Sequence, residues 1–360
     1  MAGETLTSIK RRTTKRIVPI LFCSVLIPGL SRTSPSAEPL SSCASLRSMA
    51  RIYMASGGYA QAQPFLERAL RIAREASVPE TERSACMLDL AYLYKSQGKL
   101  LTAETMCLSG LALQQKAYRP DHPYVAHTLR ILSEIYRRQD RHEEAATALE
   151  RAITIIRDES RADDLELAPF KVDMARLLVA QGKYVQAESY YEETIEIIRT
   201  HYGPEHFYTA KVLASMAELY VLQESYAEAE TLVSKALPIQ ERVYGPDHPL
   251  LVPLWLTASK IYQARGDLES ARKLLDRSLH AIENRAAPEP RIESDIWNTL
   301  GQWYALSGKY PQAEKAFEKA LQILGTHKSD SARATQLKQR AKDARRQRHV
   351  SYAPIVTSME

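Results

Sequence analysis

The 360-residue chain is predicted to be all-α, a superhelix of about seven helical hairpins followed by a C-terminal capping helix. Apolar and small residues recur in pairs of helical stripes separated by a glycine. These paired stripes repeat along the chain every 42 residues. The composition, 45% hydrophobic and 25% charged, is ordinary for a helical protein. Because repeated units contact only their neighbours, one elongated domain is expected rather than two globular ones.

The clearest unit lies at residues 297–321. Its first stripe consists of Trp297, Leu300, Gly301 and Tyr304. Its second stripe, beyond Gly308, consists of Tyr310, Ala313, Phe317 and Ala320. Both stripes have helical spacing, so the unit is predicted to be two amphipathic helices joined by a glycine turn. Neither apolar stripe can be buried alone, and each helix therefore packs on its partner and on neighbouring units.

A small residue recurs in the second helix of every unit. In steps of 42 residues, with one residue missing at the first step, the positions are Ala62, Ala103, Ala145, Ala187, Ala229, Ala271 and Ala313. A small residue is expected wherever two helices cross closely. A larger side chain there would force the hairpin apart at a cost of about 1–3 kcal/mol.

Three of the links between hairpins share one sequence pattern. They are residues 118–123, 202–206 and 244–249, which read YRPDHP, YGPEH and YGPDHP. Glycine is predicted to end one helix and proline to prevent its continuation. The acidic residue of the pattern is predicted to cap the helix that follows.

These stripes and turns resemble the tetratricopeptide repeat, over roughly residues 44–325. The 42-residue length and the Gly-Pro-Asp-His links are similar to the repeats of kinesin light chain and its bacterial relatives. The resemblance implies a right-handed superhelix whose first helices line a concave groove. It also implies binding of a protein or peptide in that groove.

Mapped onto this chain, the inner stripe of the first helices gives candidate ligand-binding residues. They are Arg47, Arg51, Tyr92, Lys95, Arg130, Arg137, Arg138, Arg176, Lys211, Lys260 and Asn298. Nine residues of the inner stripe are basic and three are acidic, whereas the array as a whole holds 34 basic and 39 acidic residues. This contrast predicts an acidic or mixed acidic-aromatic peptide ligand. The alternative is that these are ordinary solvated helix positions.

Two known modes of recognition in the family fit poorly. The paired asparagines that hold a peptide backbone in kinesin light chain are represented only by Asn298. The Lys/Asn carboxylate clamp of chaperone-binding domains lacks its asparagines, although Arg47 and Arg51 occupy comparable positions. Binding of a chaperone tail is therefore not predicted.

The N-terminal region has the pattern of a targeting segment. Residues 1–16 are polar and basic, and residues 17–30 are apolar and uncharged. Fourteen apolar residues are short for a membrane span, so residues 1–30 are interpreted as a signal peptide, with an N-terminal membrane anchor as the alternative. Residues 31–43 are rich in Ser and Pro and are predicted to be a linker. The protein is thus expected to be exported, or anchored in the membrane if the segment is not cleaved. The alternatives are a cytosolic adaptor and an organellar protein.

The C-terminal region is basic. Residues 326–349 are predicted to form a capping helix, with an apolar stripe at Ala334, Leu337, Ala341 and Ala344. A terminal repeat needs such a cover for its apolar face. The alternative is a patch for nucleic acid or an anionic membrane. Residues 350–360 are predicted to be a disordered tail.

The sequence contains no motif that indicates catalysis. It has no glycine-rich phosphate loop, no GxSxG elbow and no HExxH, and therefore neither an enzyme activity nor a small-molecule substrate is predicted. Cys86 and Cys107 are interpreted as small buried hydrophobic residues, and His122 and His127 as structural. No metal or cofactor is expected. The predicted function is a non-catalytic scaffold for protein interaction, with a nucleic-acid-associated protein as the alternative from another class.

Overall fold

The computed structural model describes residues 37–55, 58–75, 78–159, 164–283, 290–324 and 331–351. These residues form fifteen α-helices and one 3₁₀ turn, Pro249–Leu251, and contain no strand. The helices are α1 (Ala37–Ala55), α2 (Tyr59–Glu75), α3 (Glu80–Ser96), α4 (Leu100–Ala117), α5 (Pro123–Arg138), α6 (His142–Glu159), α7 (Asp164–Ala180), α8 (Tyr184–Tyr202), α9 (Phe207–Leu222), α10 (Tyr226–Tyr244), α11 (Val252–Ala264), α12 (Leu268–Glu283), α13 (Pro290–Leu306), α14 (Tyr310–Leu324) and α15 (Ser331–Ser351).

Consecutive helices pair into seven hairpins, from α1/α2 to α13/α14, and α15 packs on α14. Each odd-numbered helix also packs on the odd-numbered helix of the next hairpin, whereas no pair of even-numbered helices in the described ranges makes comparable contact. The stack therefore curves with the odd-numbered helices on its inner side. The predicted all-α superhelix of seven hairpins plus a capping helix is confirmed.

The repeated alanine is completely enclosed in each hairpin. All seven predicted alanines, from Ala62 to Ala313, are 0% exposed to solvent. Trp255 is also fully buried, whereas Trp297 is only partly buried between two core clusters. The predicted register is therefore correct throughout, although Trp297 is a less enclosed anchor than Trp255.

In the six hairpins from α3/α4 to α13/α14, the turn contains one residue with a left-handed backbone. These residues are Gly98, Asp140, Gly182, Glu224, Gly266 and Gly308, again 42 apart, with φ between 60° and 81°. Only glycine adopts this conformation without steric cost. Two of the six repeats therefore make the turn with a residue that is poorly suited to it.

The links between hairpins show that histidine, and not the acidic residue before it, caps the following helix. His122 Nδ1 accepts a hydrogen bond from the Tyr124 N–H at 3.1 Å, and His206 Nδ1 accepts one from the Tyr208 N–H at 3.3 Å. His248 does the same for the Leu250 N–H at 3.2 Å. Each imidazole also stacks on the tyrosine that begins its link, with centroids 4.3–5.1 Å apart. The prediction of an acidic cap was wrong because a neutral imidazole offers an equivalent acceptor two residues before the N–H.

Two predicted boundaries are displaced. Helix α1 begins at Ala37, so residues 37–43 are helical although they were predicted to be linker. Pro39 lies in the first turn of this helix, where no backbone N–H is needed, and a proline is tolerated there. At the other end α15 continues to Ser351, two residues into the predicted tail.

Several predicted segments lie outside the described residues. They are the targeting segment at residues 1–30, residues 31–36 of the linker, residues 326–330, and the tail from residue 352 onward. Among the helices that are described, none is both long enough and apolar enough to cross a membrane.

The predicted role of α15 as a cover is confirmed. Leu337, Ala341 and Ala344 are buried against Phe317 and Leu324 of α14. The helix therefore closes the apolar face that the seventh hairpin would otherwise expose.

Candidate functional site

The inner side of the superhelix encloses a cavity of about 820 Å³, here called the central channel. Its walls are formed by the odd-numbered helices from α5 to α15, with two tyrosines from α8. Helices that are distant in sequence, such as α5 and α15, thus face the same space. The charged side chains that line the channel are Glu134, Arg137, Arg138, Arg176, Glu218, Lys260, Arg291, Asp295, Arg333 and Arg340.

The central channel has a positive charge excess, with seven basic side chains against three acidic ones. Two of the carboxylates are already paired. Glu134 binds Arg137 through two hydrogen bonds of 2.8 and 2.9 Å, and Asp295 binds Arg333 at 3.1 Å. The channel therefore presents more cationic groups than its own residues neutralise.

Five of the predicted ligand-binding residues line the central channel. They are Arg137, Arg138, Arg176, Lys260 and Asn298. Arg138 is almost completely buried and donates to the Lys95 carbonyl oxygen at 2.9 Å, so it ties α5 to α3. Arg176 reaches the Ser215 hydroxyl at 3.2 Å on the next inner helix. These two residues therefore combine a channel-facing position with contacts that hold neighbouring repeats together.

Two other predicted residues, Arg130 and Lys211, lie in a smaller cavity of about 390 Å³ at the N-terminal ends of α7 and α9. Arg130 binds Asp173 at 2.9 Å. Burial lowers the pKa of Lys211, and the nearby Arg176 lowers it further. The sequence placed these residues on the same stripe as the channel residues, and the structure places them in a cavity that adjoins the channel, since Arg176 lines both.

The remaining predicted residues, in the first two repeats, do not reach the channel. Arg47 is only 13% exposed and binds Glu82 at 2.8 Å and Asp89 at 2.6 Å. Arg51 shares Asp89 at 3.0 Å. The ring of Tyr92 is 45% exposed and lies 4.8 Å from Lys95 Nζ. The arginines of repeat one therefore form a bridge between repeats.

Sequence reasoning missed the acidic partners of these bridges. Asp89 lies 42 residues after Arg47, and Asp173 lies 43 residues after Arg130. The two aspartates are 84 residues apart, or two repeats, and that recurrence was a usable signal. Part of the basic excess counted on the inner stripe is thus neutralised between neighbouring repeats.

Three channel arginines were also missed, namely Arg291, Arg333 and Arg340. Arg333 is 42 residues after Arg291, and Arg340 is 42 residues after Asn298, to which it donates a hydrogen bond of 2.6 Å. The period therefore extends the inner stripe into the capping helix. Helix α15 acts as the first helix of an eighth unit, in addition to covering the seventh.

The basic residues of α15 are only partly available to another partner. Arg340 faces the channel, and Arg345 binds Glu314 at 2.5 Å and Glu318 at 3.1 Å. Lys338, Lys342 and Arg346 are exposed on the same helix, and the nucleic-acid alternative therefore stays a prediction that the structure does not test.

The channel's electrostatics affect two titratable groups strongly. Burial alone would raise the pKa of Glu134, but Arg137, with Lys95 and Arg138 behind it, lowers it to about 2. Burial lowers the pKa of Arg291 to about 10, with contributions from Arg333, Arg138 and Arg137. A carboxylate is thus held ionised while a guanidinium is held in an unfavourable positive field.

Next to the channel lies a cavity of about 920 Å³, here called the apolar mouth, with Val221, Leu222, Ala264, Ala305 and Leu306 on its walls. Leu222 and Leu306 are 51% and 59% exposed. The two cavities are continuous, since they share Leu222, Lys260, Gln302, Gln336 and Arg340. A ligand in the channel can therefore also contact an apolar surface.

The two cysteines of the second repeat lie in the hydrophobic core. Cys86 and Cys107 are fully buried, as predicted, and burial raises the pKa of each thiol to about 12. Such thiols are poor nucleophiles. Among the described residues no group of three His, Cys, Asp or Glu side chains is placed to hold a metal ion.

Comparison with protein families identifies the repeat. A tetratricopeptide repeat model matches residues 83–158, 167–233, 208–284 and 261–326, and a second such model matches residues 45–80. Together these matches cover well over half of the chain. No protein of curated function matches the chain at a significant level.

Several solved structures share the fold. The structure of NprR in complex with its cognate peptide NprX has a TM-score of 0.63 at 14% identity, covering 89% of this chain and 88% of that one. A Rap protein complexed with Competence and Sporulation Factor has a TM-score of 0.55 at 14% identity, over 85% and 76% of the two chains. The crystal structure of kinesin-light-chain-like TPR repeats from Podosopora anserina has a lower TM-score of 0.47 at 22% identity, over 57% of this chain and 97% of that one. At these identities the likeness concerns the fold.

Proposed function

The chain belongs to the tetratricopeptide repeat family, and we propose that it is a non-catalytic scaffold that binds an acidic peptide or protein segment in the central channel. The observation that carries this proposal is the excess of basic side chains on the channel wall, seven against three. The array outside the two basic ends leans acidic. A positive concave surface favours an acidic ligand.

Peptide binding in a comparable superhelix has a precedent at the level of the fold. NprR, whose structure was solved with its cognate peptide NprX, has a similar fold over most of both chains. This likeness concerns the architecture alone. At 14% identity, the ligand of NprR does not indicate which ligand this chain binds.

The proposal includes export, as a scaffold outside the cytoplasm. It is supported by the basic segment and the short apolar segment within residues 1–30. The mass of the protein purified from its native host tests this part. Removal of residues up to about Ser36 or Ala37 is expected, whereas an intact N-terminus would indicate an anchored or cytosolic adaptor.

The binding site is tested by reversing charge in the channel without disturbing an ion pair. Lys260 forms no ion pair among the described residues. The side-chain oxygen of Gln302, once its amide is correctly oriented, accepts hydrogen bonds from the Arg340 guanidinium at 2.9 and 3.1 Å. Lys260→Glu combined with Gln302→Glu changes the net charge of the channel wall by −3, because one positive charge is lost and two negative charges are gained. The matched control is Lys235→Glu with Gln322→Glu, which makes the same change at exposed positions of α10 and α14.

The full-length chain and both variants would be used to capture partners from host lysate and envelope fractions, followed by mass spectrometry. A partner retained by the wild type and the control but lost from the channel variant is expected, with the circular dichroism spectrum unchanged. The bound segment, mapped by cross-linking, should be acidic. Equal retention by all three proteins would place the interaction outside the channel and overturn the proposal.

A further inference from the structure

The channel wall contains an arginine that the protein's own residues leave without a counter-charge. Arg291 lies in the first turn of α13, half-buried, and forms no ion pair within the described ranges. The charged groups that face it are Arg137 and Arg138 from α5, Arg333 from α15, and Asp295 from its own helix. Asp295 is already bound to Arg333 at 3.1 Å. Burying a cation in this way is unfavourable unless an anion accompanies it.

Arg333 contributes a second unsatisfied donor at the same place. Its Nη2 atom binds Asp295, but its Nη1 atom is buried and has no hydrogen-bond partner. A buried donor left without an acceptor costs free energy. Since Arg291 and Arg333 are one repeat apart, they occupy equivalent positions on adjacent inner helices, α13 and α15.

These two residues and Arg137 and Arg138 on the opposite wall are here called the arginine cluster. Arg137 is engaged by Glu134, and Arg138 by the Lys95 carbonyl oxygen. Arg333 is paired with Asp295, so within the described ranges the site combines the unpaired charge of Arg291 with the unsatisfied Nη1 donor of Arg333. The first turn of α13 adds the positive end of a helix dipole, which favours an anion at this point.

The apolar mouth lies at the other end of α13. From Arg291 to Gln302 the helix rises about 16 Å, and from Arg291 to Leu306 about 22 Å, at 1.5 Å per residue. An extended peptide covers about 3.3 Å per residue. A segment lying along α13 would therefore place residues about five to seven apart at the two sites.

We propose that the arginine cluster binds one anionic group of the ligand, a carboxylate or a phosphate, while the apolar mouth receives an apolar side chain about five to seven residues away. This assignment rests on the proposed function, since it requires the central channel to be the binding site. It narrows the ligand class from an acidic segment to one with an anionic residue and an apolar residue at a defined spacing.

The free protein and the complex should respond in opposite ways to loss of Arg291. Replacement of Arg291 by Gln removes a cation that repels Arg333, Arg137 and Arg138. The melting temperature of the free protein is therefore expected to rise, whereas affinity for an anionic ligand falls. An arginine with a purely structural role would lower the melting temperature when removed.

The test uses fluorescein-labelled twelve-residue peptides of Gly, Ser and Ala, measured by fluorescence anisotropy with the full-length chain. One series carries two Glu residues, and a second carries phosphoserine, each with Phe six residues away and in both chain orders. Three kinds of control peptide are used. One lacks the anionic residue, one lacks Phe, and one has the anionic residue and Phe no more than two residues apart. The proteins are the wild type, Arg291→Gln, Leu306→Ser and Arg199→Gln, the last of which breaks an exposed pair with Glu196 on α8.

The peptide with both features at the longer spacing is expected to bind at least tenfold more tightly than either single-feature peptide. Arg291→Gln should abolish the contribution of the anion, Leu306→Ser should abolish that of Phe, and Arg199→Gln should change neither. Preference for Glu or for phosphoserine identifies which source supplies the anion.

Equal binding of anionic peptides to the wild type and Arg291→Gln would overturn the proposed subsite. If Lys260→Glu with Gln302→Glu still abolishes binding in that case, the channel remains the ligand site and only the subsite assignment fails. If neither variant affects any peptide or captured partner, both proposals fail. A fall in the melting temperature of free Arg291→Gln would also count against the subsite.

Discussion

Gly301 on α13 faces the ring of Phe317 on α14 so closely that a methyl group at Gly301 would lie 2.6 Å from Phe317 Cε1. Two further ring atoms would lie within 2.9 Å, and Phe317 is itself almost fully buried. The glycine therefore sets the distance between the two helices of the seventh hairpin. Any side chain at this position must displace an enclosed aromatic ring.

Gly301→Ala is expected to destabilise the protein by about 1–3 kcal/mol, the usual range for overpacking. Urea denaturation followed by circular dichroism measures this. The matched control is Gly110→Ala, because the added methyl would be in ordinary contact with the Ser84 carbonyl oxygen, at 3.5 Å, and its closest neighbour would be the side chain of Leu88, at 3.2 Å. That side chain can move, and a glycine in a helix is otherwise replaced by alanine with a gain. Gly110→Ala should therefore cost clearly less.

Phe317→Leu, which removes the ring, should eliminate most of the cost of Gly301→Ala in a double-mutant cycle. Additive effects of the two substitutions would contradict this packing explanation.

Glu224 adopts a left-handed backbone, with φ of 60°, at the turn position where four other repeats have glycine. For a residue with a side chain, this conformation costs about 1–2 kcal/mol. Glycine avoids that steric cost, but it loses more backbone entropy on folding, which cancels part of the gain. Glu224→Gly is therefore expected to stabilise the protein by about 0.5–1 kcal/mol, measured as a shift in the urea midpoint.

The reverse substitution is available in the preceding repeat. Gly182 has φ of 74°, and a side chain added there would meet no atom within 4 Å. Gly182→Glu should then destabilise through backbone strain alone. The explanation fails if Glu224→Gly and Gly182→Glu shift the midpoint in the same direction.

The histidine caps should contribute measurable stability. His206→Ala removes the acceptor for the Tyr208 N–H and the stacking on Tyr202, whose ring centroid is 4.3 Å away. Loss of an N-cap typically costs about 0.5–2 kcal/mol, and this value is expected in a thermal or urea melt. His206→Asn retains an acceptor and should recover most of the loss. An Asn variant as unstable as the Ala variant would show that stacking, rather than capping, is what matters.

The period of 42 residues is the reason that so much of the fold could be predicted. A small residue at each helix crossing is a steric requirement, and the sequence shows it directly at all seven positions. The identity of the cap was not predictable in the same way. Both Asp121 and His122 can accept a hydrogen bond, and only the backbone conformation of the link decides which side chain reaches the N–H.

The candidate site was predictable as a surface but not as a set of partners. Periodicity places Arg47 and Lys260 on the same stripe, yet Arg47 is neutralised by Glu82 and Asp89 whereas Lys260 faces the channel without an ion pair among the described residues. Whether a charge is compensated depends on neighbours one repeat away. The curvature that brings α15 opposite α5 depends on small rotations between repeats, which no local pattern specifies.

The lowered pKa of Glu134 leads us to expect that the folded protein loses stability at acidic pH. The pKa of this carboxyl group is lowered to about 2, despite burial, chiefly by Arg137. A carboxyl group whose pKa is lower in the folded protein than in the unfolded chain stabilises the fold above the unfolded pKa, which is about 4.3. That contribution should be lost progressively as the pH falls from about 4.3 towards 2.

Urea denaturation at pH 7, 5, 4 and 3 compares the wild type with Glu134→Gln. The variant is expected to be less stable at pH 7, because Arg137 then lacks its carboxylate, and to lose less stability on acidification. Glu196→Gln, which breaks an exposed pair with Arg199, serves as the control and should follow the wild type. Parallel pH profiles for the wild type and Glu134→Gln would mean that the Glu134–Arg137 pair contributes no pH-dependent stability.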